Sequence, residues 1–332
     1  MPNVAMWGKA LRVMPRIDKQ DWDELDIISR WLIATRSAVI VMTFTSAAFA
    51  GILALKTGAF DPLLFLLVTA GLCLAHATNN LANDLVDHWK GVDKDNYFRT
   101  QYGPQTVEAG FLSVGQLVTY AAVTGLAALV IGSYLVLLRG ETALWLLAAG
   151  AFFVLFYTWP LKYIGLGEPA VLVVWGPLMV GGAYFVITGE WSGQVALASL
   201  AYALGPTAVL FGKHIDKLDP DRKKGIRTLP VILGERVSRY AVMVMLLAQL
   251  GVIAWLVAVG YFTPAMLVAL LAAPWLRRVW KVYRAPRPDG PPADLPEGVW
   301  PLWFVGAAFW YTRRFGTFFV VALLADLAIS RL

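Results

Sequence analysis

Apolar runs of about 20 residues, separated by short polar stretches, recur along the whole chain. A helix needs about 20 mostly apolar residues to cross a hydrocarbon core of about 30 Å. On that measure the pattern predicts membrane spans at 31–55, 62–87, 114–137, 142–159, 169–189, 194–213, 238–259 and 262–277. A ninth falls within 300–329, where Arg313 and Arg314 interrupt the run. Those arginines are expected at an interface, with 315–329 as the core of the span and the aromatic 300–312 stretch leading into it. The predicted fold is all-α, a polytopic integral membrane protein built as a bundle of about nine transmembrane helices. A single membrane-embedded domain covers 1–332, with a cytoplasmic N-terminal segment at 1–30 and a Pro-rich connector at 285–298.

Composition agrees with the pattern. Of 332 residues, 58% are hydrophobic and 15% charged, against roughly 45–50% and about 25% in a soluble domain. This excludes a soluble enzyme, a disordered chain, a coiled coil and a nucleic-acid-binding domain. The net charge of +6 sits in the loops, and its placement orients the bundle. Lys9, Arg12, Arg16, Lys19 and Arg30 precede the first span; basic clusters follow the second, sixth and eighth; the opposite side offers Lys56, Arg139 and Arg331. Positive charge stays on the cytoplasmic side, so the N-terminus is expected there, in a bacterial-type inner (cell) membrane. Cys73 is the one cysteine, which leaves no internal disulfide to form.

The second span ends in a polar stripe. At about 100° per residue, His76, Asn80, Asn83, Asp84 and Asp87 fall within about 100° of one another. Each ionised acid at bilayer depth costs roughly 2.5–3.5 kcal/mol, so the stripe needs a compensating partner. Carboxylates and amide carbonyls suit Mg²⁺, which keeps waters and shares substrate phosphates. Asp93 and Asp95 follow Gly91, where the chain can turn back; they are either further ligands or simply solvated. His76, deeper in the span, reads as a hydrogen-bonded core histidine. The sixth span ends similarly, with Asp216, Asp219 and Asp221 interleaved with Lys213, Lys217, Arg222, Lys223, Lys224 and Arg227. Pro220 is expected to end that helix, leaving Asp221 in a loop. Acids that hold a metal beside bases that hold phosphate oxygens make a diphosphate pocket, because charge-assisted bonds are the strong ones.

These two stretches resemble the paired aspartate motifs of the UbiA-type intramembrane prenyltransferases. Asn80-Leu-Ala-Asn83-Asp84-Leu-Val-Asp87, followed by Lys90-Gly91-Val92-Asp93, is similar to the first motif of the 1,4-dihydroxy-2-naphthoate branch, which serves menaquinone synthesis. Gly103-Pro104, Gly110, Tyr157-Thr158 and Gly165-Leu166-Gly167-Glu168 also resemble that branch, as do Asp221-Arg222, Gly225 and Thr228-Leu229-Pro230. The family's second motif has two aspartates four apart, the later followed by arginine. Here Lys217 stands at the earlier position, with Asp216 or Asp219 as the substitute, and Lys213-His214 replaces amides.

The resemblance implies nine spans around a central cavity open to the cytoplasmic side. It also implies Mg²⁺-dependent transfer of a prenyl group from an isoprenyl diphosphate to a lipophilic, aromatic acceptor of the naphthoate or quinone-precursor kind, in contact with membrane lipid. On this reading Asn83, Asp84, Asp87, Asp93, Asp216, Asp219 and Asp221 are the candidate metal ligands, with Asp84, Asp87 and Asp221 central to catalysis. Asn80, Lys213, Arg222, Lys162, Arg99 and Arg36 join Asn83 in binding the substrate; Arg36 either does so or snorkels to the interface. A terpene cyclase or a lipid-forming prenyltransferase would use the same diphosphate site. A secondary transporter is the non-enzymatic alternative.

Overall fold

A computed structural model describes residues 2–92, 105–293 and 300–331; among these every regular element is helical. Six segments are long and apolar enough to cross a membrane: Ser37–Lys56, Pro62–Trp89, Val114–Arg139, Gly167–Thr188, Gly193–Asp216 and Glu235–Ala258. The sequence pattern predicts nine, and the other three fall short for different reasons. Glu141–Phe156 is apolar but 16 residues long, about 24 Å of helical rise. The 262–277 run folds as a 3-10 stretch, Pro264–Trp275, rather than as a long α-helix. The last helix, Trp303–Ile329, has the length, 27 residues, but carries Arg313, Arg314 and Asp326. It is continuous, so the aromatic stretch is its first turns and not a lead-in. Arg314 and Arg278 lie over the Trp310 ring, 3.9 and 4.8 Å from its centroid.

The described chain forms two compact units. One comprises 1–44 and 66–160. It begins with three short helices, α1 (Val4–Ala10), α2 (Lys19–Glu24) and α3 (Ile27–Ala34). Trp22 is fully buried and stacks on Phe111 at 5.0 Å, within a cluster that includes Leu32, Ile33, Leu81 and Leu117. This segment is therefore anchored by an apolar cluster that it shares with α5 and the start of the helix after it. The unit continues through α4 (Ser37–Lys56) and α5 (Pro62–Trp89), each of which runs between the units. It ends with α6 (Val114–Arg139) and α7 (Glu141–Phe156). A capping box of Ser113 and Gln116 starts α6, satisfying two backbone donors that a helix start leaves open.

The other unit comprises 45–65 and 161–332. Its helices are α8 (Gly167–Val173), α9 (Gly182–Thr188), α10 (Gly193–Ala198), α11 (Leu200–Asp216), α12 (Leu218–Lys223), α13 (Leu229–Leu233), α14 (Glu235–Ala258), α15 (Leu276–Tyr283) and α16 (Trp303–Ile329). Between α8 and α9 the backbone leaves helical geometry at Gly176 (φ −97°, ψ −110°), just before Pro177, which lacks an N–H and whose ring clashes with the preceding turn. Helix α16 buries Phe304, Ala308, Tyr311, Phe315, Phe319, Ala322 and Asp326, a stripe at three- and four-residue spacing. At its far end Asp326 takes a 2.7 Å ion pair from Lys56 and a backbone N–H from Thr263. At its near end α11 comes close enough that a Cβ on Gly212 would lie 2.6 Å from Tyr283 Oη and 2.9 Å from Val305 Cα. Only glycine permits that approach.

Candidate functional site

In the first unit, α3 and α4 would be one helix but for Thr35 and Arg36. Arg36 has φ +54°, a left-handed conformation that costs a non-glycine residue roughly 1–2 kcal/mol. The buried Arg36 guanidinium forms an ion pair with Asp84 of α5, itself buried. The break also frees the Thr35 carbonyl, which accepts the Asn80 side-chain N–H at 2.8 Å. Helix break and polar stripe are therefore complementary, and Arg36 is committed to Asp84 instead of reaching for an interface. His76 bonds Thr43 through Nδ1 at 2.8 Å, as expected of a core histidine.

The end of α5 is set by Gly91 in the left-handed region (φ +65°). Val92 N–H reaches back to the Asp87 carbonyl at 2.9 Å and Gly91 N–H to that of His88 at 3.0 Å, a Schellman-like termination. Asp87 is buried in this last turn. Asn83 Oδ1 is also buried and accepts no hydrogen bond from any described residue, at a cost of about 1–3 kcal/mol for a polar atom so placed. Asp93 and Arg99 lie outside the described residues.

In the second unit the acids of the other polar stretch have three separate fates. The helix breaks at Lys217, three residues earlier than Pro220 predicts, and Asp221 lies in the short helix α12 and not in a loop. Pro220 fits there because the first turn of a helix needs no N–H from it. Asp216, at the end of α11, accepts the backbone N–H groups of Phe304 and Val305 at 3.0 Å each. Both carboxylate oxygens thus cap the start of α16, where the helix dipole favours negative charge. Asp219 points outward, 3.4 Å from exposed Arg222. Asp221 is buried and pairs with buried Lys217 one turn earlier, Oδ1 to Nζ at 3.2 Å. Half-buried Lys213 lies on α11. Lys162 is buried in a one-turn 3-10 segment, Leu161–Ile164, with its ammonium over the Tyr163 ring at 5.6 Å.

Residues 44–295 match the family model of the UbiA prenyltransferase family. The chain belongs to that family. It is similar to UbiA prenyltransferase domain-containing protein 1 of Danio rerio, 28% identical over 277 residues that cover 80% of each chain. It is also similar to the 1,4-dihydroxy-2-naphthoate octaprenyltransferase of Escherichia coli (strain K12), 31% identical over 217 residues, 62% of this chain and 68% of the relative. In fold it is similar to a UbiA homolog from Archaeoglobus fulgidus bound to GPP and Mg²⁺. There the TM-score is 0.58 at 13% identity, covering 89% of this chain and 99% of that one. The chain is thus classed as a UbiA-type prenyltransferase, an enzyme of the membrane.

For this prenyltransferase the two acid-bearing helix ends differ in their fitness for a metal. Among the described residues no three His, Cys, Asp or Glu side chains converge into an all-protein metal cage. Mg²⁺ needs none, since it is usually held by one or two carboxylates with substrate phosphates and water. The first end meets that description with Asp84, Asp87 and the orphaned Asn83 oxygen. At the second, both Asp216 oxygens take N–H groups of a helix start, Asp219 faces outward and Asp221 is paired with Lys217, as Asp84 is with Arg36 at the first.

One pair near the second end carried no role in the sequence reading. Glu168, in the first turn of α8, holds His214 Nδ1 at 2.6 Å, and its other oxygen accepts Leu229 N–H at 3.3 Å. Both side chains are buried. The available signal was an acid and a histidine each placed within or beside an apolar run.

Proposed function

We propose that this prenyltransferase uses Mg²⁺ to transfer an isoprenyl group from its diphosphate to a lipophilic, aromatic acceptor of the naphthoate or quinone-precursor kind. The observation that carries the reading is the buried, unpartnered Asn83 Oδ1 on the stripe that bears Asp84 and Asp87. The octaprenyltransferase activity of the Escherichia coli relative and the GPP and Mg²⁺ bound to the Archaeoglobus fulgidus homolog support it. The chain works as one catalytic domain, 1–332, in a bacterial-type inner membrane with its N-terminus on the cytoplasmic side.

Asn83, Asp84 and Asp87 hold the metal, with Asp93 as a further ligand. When bound, Mg²⁺ supplies positive charge that stabilises the departing diphosphate. Arg36 fixes the orientation of Asp84, and Asn80 fixes the helix break that presents Arg36. In the other unit Lys162, Lys213 and Arg222 are cations suited to phosphate oxygens, as Arg99 is, and Asp221 holds Lys217 in place. The allylic C–O bond breaks with its electron pair leaving on the diphosphate. The acceptor carbon then bonds to the allylic carbon, and the proton it carried passes to the released diphosphate.

Purified protein in nanodiscs with Mg²⁺, prenyl diphosphates of several lengths and a panel of aromatic acceptors tests this, with diphosphate release and prenylated product followed by mass. Product formation that needs metal and acceptor is expected, with Asp87→Asn slowing it about 10²- to 10³-fold, the size of effect seen when an electrostatic stabiliser is removed. Diphosphate release without any acceptor would replace transfer by cyclase chemistry. Failure to bind prenyl diphosphate at all would remove the enzyme reading and favour a transporter.

A further inference from the structure

We propose that Lys217 is a cation built into the chain that takes the place of a bound metal at the second acid-bearing helix end, so that divalent metal is held by the Asn83–Asp87 stripe and not by Asp221. The inference rests on the proposed function and concerns which acids of the chain hold its metal.

Each acid within reach of Lys217 along the chain is accounted for. Both oxygens of Asp216 accept backbone N–H groups of Phe304 and Val305, and withdrawing them would strip the start of α16. The Asp219 side chain is 77% exposed and its oxygen faces Arg222. That leaves Asp221, which is 2% exposed and would be a costly isolated charge. Lys217, 6% exposed, compensates it by placing Nζ 3.2 Å from Asp221 Oδ1. The pair lies one helical turn apart across the α11–α12 break, so backbone geometry holds it together. A divalent ion on the same carboxylate would sit within a few ångströms of that ammonium, which repels it. Asp84 likewise has Arg36, but its stripe also carries Asp87 and the unpartnered Asn83 oxygen, and Asp221 has no such neighbours on α12.

An ammonium is also a chemically sensible stand-in. It is a compact point charge with three donors. One is used by Asp221, and the others suit the oxygens of a diphosphate. Of the acids near it along the chain, Asp221 is the one it pairs with. The buried Asn83 oxygen gives the opposite picture, an acceptor atom with no donor among the described residues.

The test counts metal. The purified chain in nanodiscs is saturated with an unreactive prenyl thiodiphosphate, and bound Mn²⁺ per chain is measured by electron paramagnetic resonance. The expected result is that Asp221→Asn leaves the number of bound ions as in the native chain, while Asp87→Asn lowers it. Lys217→Asp is expected to add one ion per chain, because it puts a second carboxylate where the ammonium was. Loss of one ion in Asp221→Asn would overturn the inference and leave the proposed function standing. If Lys217→Asp does not fold, the comparison of Asp221→Asn with the native chain decides alone. No bound Mn²⁺ in the native chain with the analogue seated would instead overturn the proposed function, and this inference with it.

Discussion

The ends of α5 and α11 look alike as strings of residues and differ as structures. Each closes an apolar helix with several acids and nearby bases. At the end of α5 one acid meets Arg36, and an amide oxygen beside it stays buried and unpartnered. At the end of α11 the acids are consumed by a helix start, by solvent and by a lysine. The difference comes from what packs against each end. A helix that begins against α11 offers N–H donors, and carboxylates satisfy them. Against α5 lies a helix break, which offers one carbonyl and one guanidinium and leaves acceptor capacity over. The backbone packed against an acid-rich helix end thus decides how many of its acceptors are already taken.

The largest effect that would break this contrast is at Asp216. If it is a capping group, Asp216→Ala leaves two buried N–H donors of α16 without acceptors and destabilises the fold by roughly 2–6 kcal/mol. Thermal unfolding in detergent should show that loss, and the Mg²⁺ concentration for half-maximal activity in the residual folded enzyme should not move. A chain of native stability whose Mg²⁺ requirement rises would mean that Asp216 is a ligand. Smaller, and on the same end, is Gly212→Ala. The added methyl group would meet Tyr283 Oη at 2.6 Å and Val305 backbone at 2.9 Å, and overpacking of this kind costs about 1–3 kcal/mol. Because Val305 is one of the residues whose N–H Asp216 holds, the two substitutions are expected to be non-additive in a double-mutant cycle. Simple additivity would separate the close approach from the cap.

The sequence made much of the first end legible because its features are local. The stripe from His76 to Asp87 follows from helical periodicity, and Gly91 stands where a left-handed turn ends the helix. The second end was less legible because its outcome depends on distant residues. Asp216 meets donors 88 residues further along the chain, and no spacing rule reveals that. Arg36 is a similar case: its left-handed backbone follows from a partner on α5, whereas the apolar run around it reads as an unbroken helix. The number of spans was overread for a related reason. Apolar composition sets what prefers to leave water, but whether 262–277 winds as an α-helix or a tighter 3-10 coil is decided by packing and by its prolines. In the N-terminal 26 residues the mixed charge concealed a small core around Trp22.

The weakest effect sharpens the contrast from a third acid. Asp26 also caps a helix start, accepting Ile28 and Ser29 N–H at 3.0 and 3.1 Å, and it ties α1 to α3 through Asn3 N–H and the Trp7 indole. It does so near the surface, where Asp216 does so in the core. Partial desolvation acts to raise its pKa, but the hydrogen bonds from Ser29, Asn3 and Trp7 outweigh it, and the carboxyl is held well below its ordinary value of 3.8. A folded pKa below the unfolded one gives stability that is present above 3.8 and lost as pH falls through the folded value. The link between α1 and α3 is therefore expected to be intact at neutral pH and to loosen only in strong acid. Hydrogen exchange of the α1 amides should report this as faster opening at low pH. Asp26→Asn, which keeps an acceptor but has no charge to lose, should show little pH dependence over the same range. Equal acid sensitivity in the two chains would assign the loosening to another group and leave Asp26 as a cap whose charge does not matter.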